Sequence, residues 1–177
     1  NSTLAKQIVK SSPFVKAFKL DLQSEININQ AIKNSKKYLS KFDIVILCSL
    51  KYLKRKNFNK IKTNDIESFY KYNFFGYLKI LKYLLKIQKK KLTIINLSTY
   101  ALKNHSSGLS FYNSYKAAME EFFLTLSNEY NHIKFKNVRL GKYDTKGFRK
   151  TNLSYLKKSS AKIKHPNLAI KKVLKGI

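Results

Sequence analysis

The hydrophobic positions of this chain change period several times, and each period predicts one kind of element. Apolar runs predict strands at about 14–20, 43–48, 92–97 and 134–140. Helical spacing predicts helices at about 2–11, 27–40, 64–89, 111–130 and 166–176. Because helices and strands alternate along the chain, the pattern predicts an α/β fold with a parallel sheet covered by helices on both faces.

The predicted helix at 64–89 has a long apolar stripe that includes one amide, Asn73. Apolar residues from Ile66 to Leu85 recur at helical spacing, and core packing explains them most simply. Two interpretations of Asn73 stay open. It is either a buried amide satisfied by backbone groups or a functional side chain.

Composition limits the class of protein. The chain has 177 residues, of which 44% are hydrophobic and 14% aromatic, enough for one domain with a substantial core. No apolar run approaches the roughly 18 residues that span a bilayer, and no signal peptide is visible. The single cysteine, Cys48, follows an apolar strand. We expect a reduced, buried thiol there and a cytoplasmic protein.

The formal charge of +28 would ordinarily indicate a nucleic acid or an anionic membrane as partner. Here lysine dominates the basic residues, and it is spread over every segment together with abundant Asn, Ile, Phe and Tyr. This mixture is typical of AT-rich codon usage, so we do not expect a nucleic-acid partner. The three histidines lack metal-ligand spacing, and we predict no metal site.

The candidate chemistry centres on Tyr112 and Lys116, which share one face of a predicted helix. A nearby ammonium favours the phenolate, and a phenol tuned in this way can exchange a proton with a carbonyl or alcohol oxygen. The alternative is an interfacial aromatic beside a solvated charge. Thr99 and Ser98 lie thirteen and fourteen residues before Tyr112, at the end of a predicted strand. Open α/β sheets bind ligands at that end of their strands.

These motifs, with others in the same order, resemble the short-chain dehydrogenase/reductase family over most of the chain. The matching positions are Asp21 after the predicted strand 14–20, the strand 43–48, Asn73, Ser98 and Thr99, the pair Tyr112 and Lys116, and Leu140-Gly141-Lys142-Tyr143-Asp144-Thr145. The resemblance implies a single Rossmann-like domain over residues 1–177, with a doubly wound parallel sheet in three α/β/α layers.

The resemblance also implies an activity. Members of this family are NAD(P)-dependent oxidoreductases that move a hydride between NAD or NADP and a small-molecule carbonyl or alcohol. Tyr112 would be the acid/base, and Lys116 would lower its pKa and hold the nicotinamide ribose. Thr99 or Ser98 would hydrogen-bond the substrate oxygen, and Asn73 would hold a water in the proton relay. Spacing aligns Thr99 with the family serine, but Ser98 is one step away, so both stay open.

Cofactor contacts follow from the same resemblance. They fall on Ser2, Thr3, Leu4, Asp21, Leu22, Cys48, Ser49, Tyr112, Lys116, Gly141, Tyr143 and Thr145. Asp21 would lie by the adenine, and Thr145 would touch the nicotinamide carboxamide. In the family, the helices that carry the Asn and the Tyr-Lys pair also pack against their copies. We therefore expect a homodimer or homotetramer, with Phe122 and Phe123 as candidates for exposed apolar surface.

The opening of the chain departs from the family. Thr3 and Ala5 stand where two glycines of the phosphate-binding turn are usual, and Thr3 places a Cβ where backbone normally approaches pyrophosphate. We expect the first strand and first glycine to lie upstream of Asn1, and the second strand with its helix to be absent or collapsed. An alternative function therefore stays open: a catalytically inactive structural, regulatory or anion-binding protein of the same fold.

Overall fold

A computed structural model describes residues 2–39, 41–52, 54–87, 91–151 and 163–175. The elements in chain order are α1 (Ser2–Ser11), α2 (Glu25–Leu39), β1 (Ile44–Leu47), a 3-10 turn (Phe58–Lys60), α3 (Thr63–Tyr70), a π-helical turn (Lys71–Phe75), α4 (Gly76–Ile87), β2 (Leu92–Thr99), α5 (Ala101–Asn104), α6 (Ser110–Glu129), β3 (Ile133–Leu140), α7 (Lys146–Thr151) and α8 (Pro166–Leu174). Each of the five predicted helices is present, and so are three of the four predicted strands.

The three strands form one open parallel sheet in the order β1-β2-β3. Ile44 lies opposite Thr93, and Leu92 lies opposite Ile133. Parallel neighbours need long crossovers, and the helices between the strands provide them: α3 and α4 link β1 to β2, and α6 links β2 to β3. This is the predicted Rossmann-like α/β fold. The carboxyl ends of β1, β2 and β3 all lie at one edge of the sheet.

The central strand β2 is buried on both faces, which explains its continuous apolar run. On one face Ile94 packs in a core with Leu81 of α4 and Met119 of α6. On the other face Ile95 packs with Val173 of α8. Burying a side chain of this size stabilises the fold by roughly 1.5–3 kcal/mol. The helices therefore cover the sheet from two sides, in three layers.

The predicted strand at 14–20 is wrong, because this segment forms no strand pairing in the structure. Its apolar residues are not sequestered either: Phe14 is 93% exposed and Leu20 is 45% exposed. An extended segment gains its backbone hydrogen bonds only from a neighbouring strand. Among the described residues, the outer edge of β1 stays unpaired, and the segment 14–20 does not add a strand to it.

The long predicted helix at 64–89 is continuous in direction but contains the π-helical turn, and Asn73 lies within it. Directly after the turn, Gly76 permits a close approach: a Cβ there would lie 2.5 Å from the carbonyl oxygen of Leu22. This contact joins α4 to the segment before α2. The π-helical turn and the glycine together set how Asn73 faces the end of β1.

Two burial expectations are corrected. Phe123 is not exposed apolar surface, since it is 1% exposed and packs edge-on against Phe135 with ring centroids 5.5 Å apart. Phe122 is half-buried. Cys48 was expected to be buried but is exposed, because β1 ends one residue earlier and the chain opens there into a cavity. Within the described residues, no helix is both long and apolar enough to cross a membrane.

Candidate active site

A cavity of about 500 Å³ lies at the carboxyl ends of the three strands. Cys48 lines it after β1, Thr99 lines it at the end of β2, and Gly141 lines it after β3. The start of α6 closes one side with Tyr112 and Lys116. The parallel sheet brings these positions together because the carboxyl ends of all its strands share one edge.

The Thr99 hydroxyl lies close to the Tyr112 phenol and, as a hydrogen-bond partner, lowers its pKa. Lys116, one helical turn further along α6, lies with its Nζ 6.0 Å from the centroid of the Tyr112 ring. That ammonium donates a 2.6 Å hydrogen bond to the backbone oxygen of Leu97. The three side chains therefore form one cluster in which Thr99 contacts the phenol and Lys116 lies behind it.

The pKa of Tyr112 is raised to about 12, chiefly because burial disfavours the phenolate. The hydrogen bond with Thr99 acts in the opposite direction but is weaker. The expectation that Lys116 lowers this pKa is not met, since the ammonium points to the Leu97 carbonyl rather than to the phenol oxygen. At neutral pH the phenol is protonated, so Tyr112 is set to donate a proton.

Lys116 is a buried ammonium, with 5% of its surface exposed. Burial lowers its pKa to about 8, and the neighbouring Cys48 and Glu120 partly offset this effect by raising the pKa. The group is therefore mostly charged at neutral pH but close to titration. A surface lysine, the alternative interpretation of this residue, would be neither buried nor lowered in pKa.

The structure separates the two candidate hydroxyls. Successive residues of a strand face opposite sides of the sheet, and although both Ser98 and Thr99 line the cavity, their hydroxyls have different partners. The Ser98 hydroxyl donates to the carboxylate of Glu120 on α6. The Thr99 hydroxyl instead meets Tyr112 and also accepts a 3.1 Å hydrogen bond from the backbone N–H of Ala101.

Asn73 is fully buried and does not line the described part of the cavity wall. Its Nδ2 donates to the carbonyls of Lys51 and Phe69, each at 2.9 Å, and its Oδ1 accepts from the Lys51 N–H at 2.9 Å. Both amide hydrogens are thus used on the backbone. The geometry matches the first interpretation of this residue, and it leaves the side chain no hydrogen to donate to a water.

Of the predicted cofactor contacts, Cys48, Gly141, Tyr143 and Thr145 line the cavity together with Tyr112 and Lys116. Gly141 has open space around it, since an added Cβ would meet no atom within 4 Å. The Thr145 hydroxyl accepts a hydrogen bond from the N–H of Phe148 at the start of α7. This edge of the cavity is therefore shaped by the segment that follows β3.

Other predicted contacts lie elsewhere. Ser49 bonds the Tyr72 hydroxyl at 2.6 Å, and neither it nor Asp21 lines the cavity. The Asp21 carboxylate accepts the N–H of Gln23 before α2, and Leu22 is buried against Gly76. Ser2, Thr3 and Leu4 form the first turn of α1, and their side chains lie outside the described part of the structure.

Sequence reasoning missed several residues around the cavity. Its wall includes the aromatic side chains of Tyr52, Tyr100, Phe111 and Phe148. A loop before α3 is held over the cavity by Arg55, whose Nε donates a 2.8 Å hydrogen bond to the Ser107 carbonyl. The next residue, Gly108, has a φ of +76°. No periodic signal marks such loop residues. Glu120 was also missed, although a carboxylate four residues after Lys116 on a buried helix face was a usable signal.

In the described residues, no three His, Cys, Asp or Glu side chains cluster so as to hold a metal ion. The cavity is thus built from hydroxyl, phenol and ammonium groups with aromatic walls. This set suits proton exchange with an oxygen atom of a small molecule.

Comparison with solved structures shows the same fold. A glucose/ribitol dehydrogenase of the short-chain dehydrogenase/reductase type from Brucella melitensis has a TM-score of 0.75 at 20% identity, covering 86% of this chain and 62% of that one. A short-chain dehydrogenase/reductase from Saccharomyces cerevisiae gives 0.74 at 23%, covering 89% and 63%. A 3-ketoacyl-(acyl-carrier-protein) reductase from Brucella melitensis, complexed with NADH, gives 0.80 at 15%, covering 92% and 71%.

The chain spans less than two thirds of the length of the first two of these proteins. No curated protein sequence matches it. The family model of the short chain dehydrogenases, however, matches residues 1–155. The chain therefore belongs to the short-chain dehydrogenase family.

Proposed function

We propose that this protein is an NAD(P)-dependent oxidoreductase that interconverts a small-molecule carbonyl and the corresponding alcohol. The observation that carries the proposal is that the Thr99 hydroxyl, the Tyr112 phenol and the buried ammonium of Lys116 line one cavity at the carboxyl ends of parallel strands. A protonated phenol next to a second hydroxyl can hold and protonate a carbonyl oxygen.

The cavity supports a nicotinamide cofactor at this end of the sheet. Its volume lies within the roughly 300–1,000 Å³ typical of small-molecule sites. Lys116 would hold the nicotinamide ribose through its ammonium, and Gly141 and Thr145, which line the cavity, would border the carboxamide. When bound, NAD or NADP supplies or accepts the hydride. The membership of the chain in the family and the NADH complex of one structural neighbour support this assignment.

The chain's own groups would handle the proton. With a pKa raised to about 12, Tyr112 keeps its proton at neutral pH and gives it to the oxygen of a carbonyl substrate. Thr99 donates a hydrogen bond to the same oxygen and orients it towards the phenol. The Lys116 ammonium lies 6.0 Å from the centroid of the phenol ring, and its role in this proposal is to hold the nicotinamide ribose rather than to lower the pKa of Tyr112.

Asn73 acts in this proposal as a positioning residue. Its two hydrogen bonds with Lys51 fix the loop after β1 to the π-helical turn, and this loop carries Tyr52 into the cavity wall. A water in the proton relay would then have to be held by backbone groups near Asn73 rather than by its amide.

The proposal is tested by titrating the protein with NADH and with NADPH while nicotinamide fluorescence is recorded. We expect enhanced and blue-shifted emission with at least one of them, followed by oxidation of the bound cofactor when carbonyl substrates are added. The two titrations also decide between NAD and NADP. Should neither cofactor bind at millimolar concentration, the inactive anion-binding alternative replaces the enzyme.

Thr99→Ala is expected to lower the turnover number by on the order of 10²-fold, as does the loss of one donor at a developing oxyanion. Ser98→Ala should lower it less than about tenfold, because Ser98 contacts Glu120 instead of the phenol. Steady-state reduction of a carbonyl substrate gives both numbers. Thr99→Ser, which keeps the hydroxyl, serves as the control and should retain most activity. A larger loss in Ser98→Ala than in Thr99→Ala would reverse the assignment.

Self-association is the second part of the proposal. Phe75 in the π-helical turn is 54% exposed and Leu124 on α6 is 58% exposed. Both lie on the elements that we expect to pack against their copies, so sedimentation should show a dimer or a tetramer. The double change Phe75→Ser and Leu124→Ser should weaken the assembly, since it removes exposed apolar area. A strict monomer at micromolar concentration would contradict this prediction.

A further inference from the structure

Glu120 lies one helical turn beyond Lys116 on α6 and is 9% exposed. Its Oε1 accepts hydrogen bonds from Ser98 Oγ and, at 2.8 Å, from Arg139 Nε. Its Oε2 accepts from Arg139 Nη2 at 2.5 Å. One carboxylate thus ties together the ends of β2 and β3 and the helix that carries Tyr112. It sits directly behind the proposed active site.

The Arg139 side chain is 39% exposed, and a partly exposed ion pair of this kind adds little stability, because water screens its attraction. Apolar side chains of the same size would hold α6 to the strands equally well. The charges therefore need another explanation. The nearest ionisable group whose buried charge calls for a partner is Lys116. Its ammonium is buried, and the Leu97 carbonyl is the hydrogen-bond acceptor that the structure gives it.

We infer that Glu120 is a positioning residue: held in place by Arg139, it keeps the Lys116 side chain in its charged form and the Ser98–Thr99 strand end aligned with Tyr112. This inference rests on the proposed function, since a charged Lys116 matters only if the phenol does chemistry. Glu120 supplies the negative charge, and Arg139 holds that carboxylate in place through two parallel hydrogen bonds.

The groups that face Lys116 come from several elements. Cys48 approaches from the end of β1. On α6 itself, the ring centroids of Tyr112 and Tyr115 lie 6.0 and 4.7 Å from the Lys116 Nζ. A thiol supplies negative charge only as a thiolate. Glu120 differs: burial alone would raise its pKa, but the hydrogen bonds from Arg139 and Ser98 and two nearby positive charges lower it. It is therefore ionised throughout the neutral range.

Two single changes should move Lys116 in opposite directions. Glu120→Gln keeps the size of the side chain and an oxygen acceptor for Ser98, but it removes the negative charge and leaves Arg139 positive. The pKa of Lys116, about 8 in the unaltered protein, should fall to about 7. Arg139→Met removes the positive charge and leaves the carboxylate uncompensated, so the pKa of Lys116 should rise.

Nuclear magnetic resonance of protein labelled with ¹³C at lysine Cε measures this pKa without any need for activity. The Lys116 signal is assigned by its loss in Lys116→Arg. A purely structural pair would lower the melting temperature in both variants without opposite shifts at Lys116. The inference is overturned if the two variants shift the pKa in the same direction or leave it unchanged. If Glu120→Gln does not fold, the rise expected in Arg139→Met decides alone.

Cys48→Ser is the matched control, because it removes the other ionisable group that acts on Lys116. A fall in the pKa of Lys116 as large as that in Glu120→Gln would assign the effect to the thiol and overturn the role of the pair. Where turnover is measurable, the alkaline limb of the kcat/KM profile should move to lower pH in Glu120→Gln and to higher pH in Arg139→Met.

The two failures are distinguishable. Opposite shifts at Lys116 in a protein that neither binds nicotinamide cofactors nor reduces carbonyls would refute the proposed function and leave the charge coupling intact. Carbonyl reduction with no shift at Lys116 in either variant would refute the coupling and leave the function intact.

Discussion

Tyr112→Phe is expected to abolish carbonyl reduction while leaving the binding of NADH or NADPH nearly unchanged. The substitution removes one hydroxyl from a side chain whose ring is held between Thr99 and Lys116. General acid catalysis contributes about 10²–10⁴-fold to rates. Since this phenol is protonated at neutral pH, it can act as the acid, and the loss should fall within that range. Single-turnover oxidation of bound NADH or NADPH measures it.

The control for this change lies on the same helix. Tyr130→Phe removes a phenol at the other end of α6, where the ring packs against Phe135 outside the cavity. Its turnover should equal that of the unaltered protein within about twofold. Retention of activity in Tyr112→Phe would show that another group delivers the proton, and the proposed mechanism would fall.

Lys116→Met is expected to remove activity and yet to stabilise the protein at pH 7. Burial moves the pKa of Lys116 from 10.5 to about 8, which corresponds to a penalty of about 3 kcal/mol for keeping it charged. Leaving the Leu97 carbonyl without its hydrogen bond costs about 1–2 kcal/mol in return. The free energy of unfolding should therefore rise by about 1–2 kcal/mol, as measured by urea denaturation.

The pH dependence of this gain gives a second test. Between pH 8 and 10.5 the unfolded state binds more protons at Lys116 than the folded state, so the stability of the unaltered protein rises with pH. The advantage of Lys116→Met should shrink across the same range. Lys103→Met, at an exposed position on α5, controls for the loss of one positive charge. A variant less stable at pH 7, or a gain independent of pH, would show that the burial cost is absent.

Both predictions express one trade-off. A buried ammonium destabilises the fold, and a buried phenol with a raised pKa is a weak acid in isolation. Active sites keep such groups because their chemistry needs them, and their pKa values are perturbed for that reason. Glu120 fits this picture, because its negative charge limits the cost at Lys116.

Hydrophobic periodicity predicted most of the fold before any tertiary information. The predicted helix at 111–130 is shifted by one residue at both ends relative to α6. The predicted strand at 134–140 begins one residue after β3 and ends at the same residue. Periodicity is a local property, so it succeeds wherever an element packs along its whole length. It fails at 14–20, because an apolar segment becomes a strand only when a second strand supplies its hydrogen bonds.

The sequence by itself also determined that Tyr112 and Lys116 share a helical face and that two hydroxyls end the preceding strand. These are matters of spacing within one element. It could not determine which hydroxyl meets the phenol, because that depends on the rotation of β2 against α6. The structure places Thr99 there and turns Ser98 to Glu120.

Only the tertiary structure decided the electrostatics. The burial of Lys116, the raised pKa of Tyr112 and the pairing of Glu120 with Arg139 all arise between elements that are distant in sequence. The same holds for Asn73, whose amide is consumed by the loop after β1. Spacing along the chain fixes which groups share an element, whereas the packing of elements fixes how far each group is removed from water and which charges it meets.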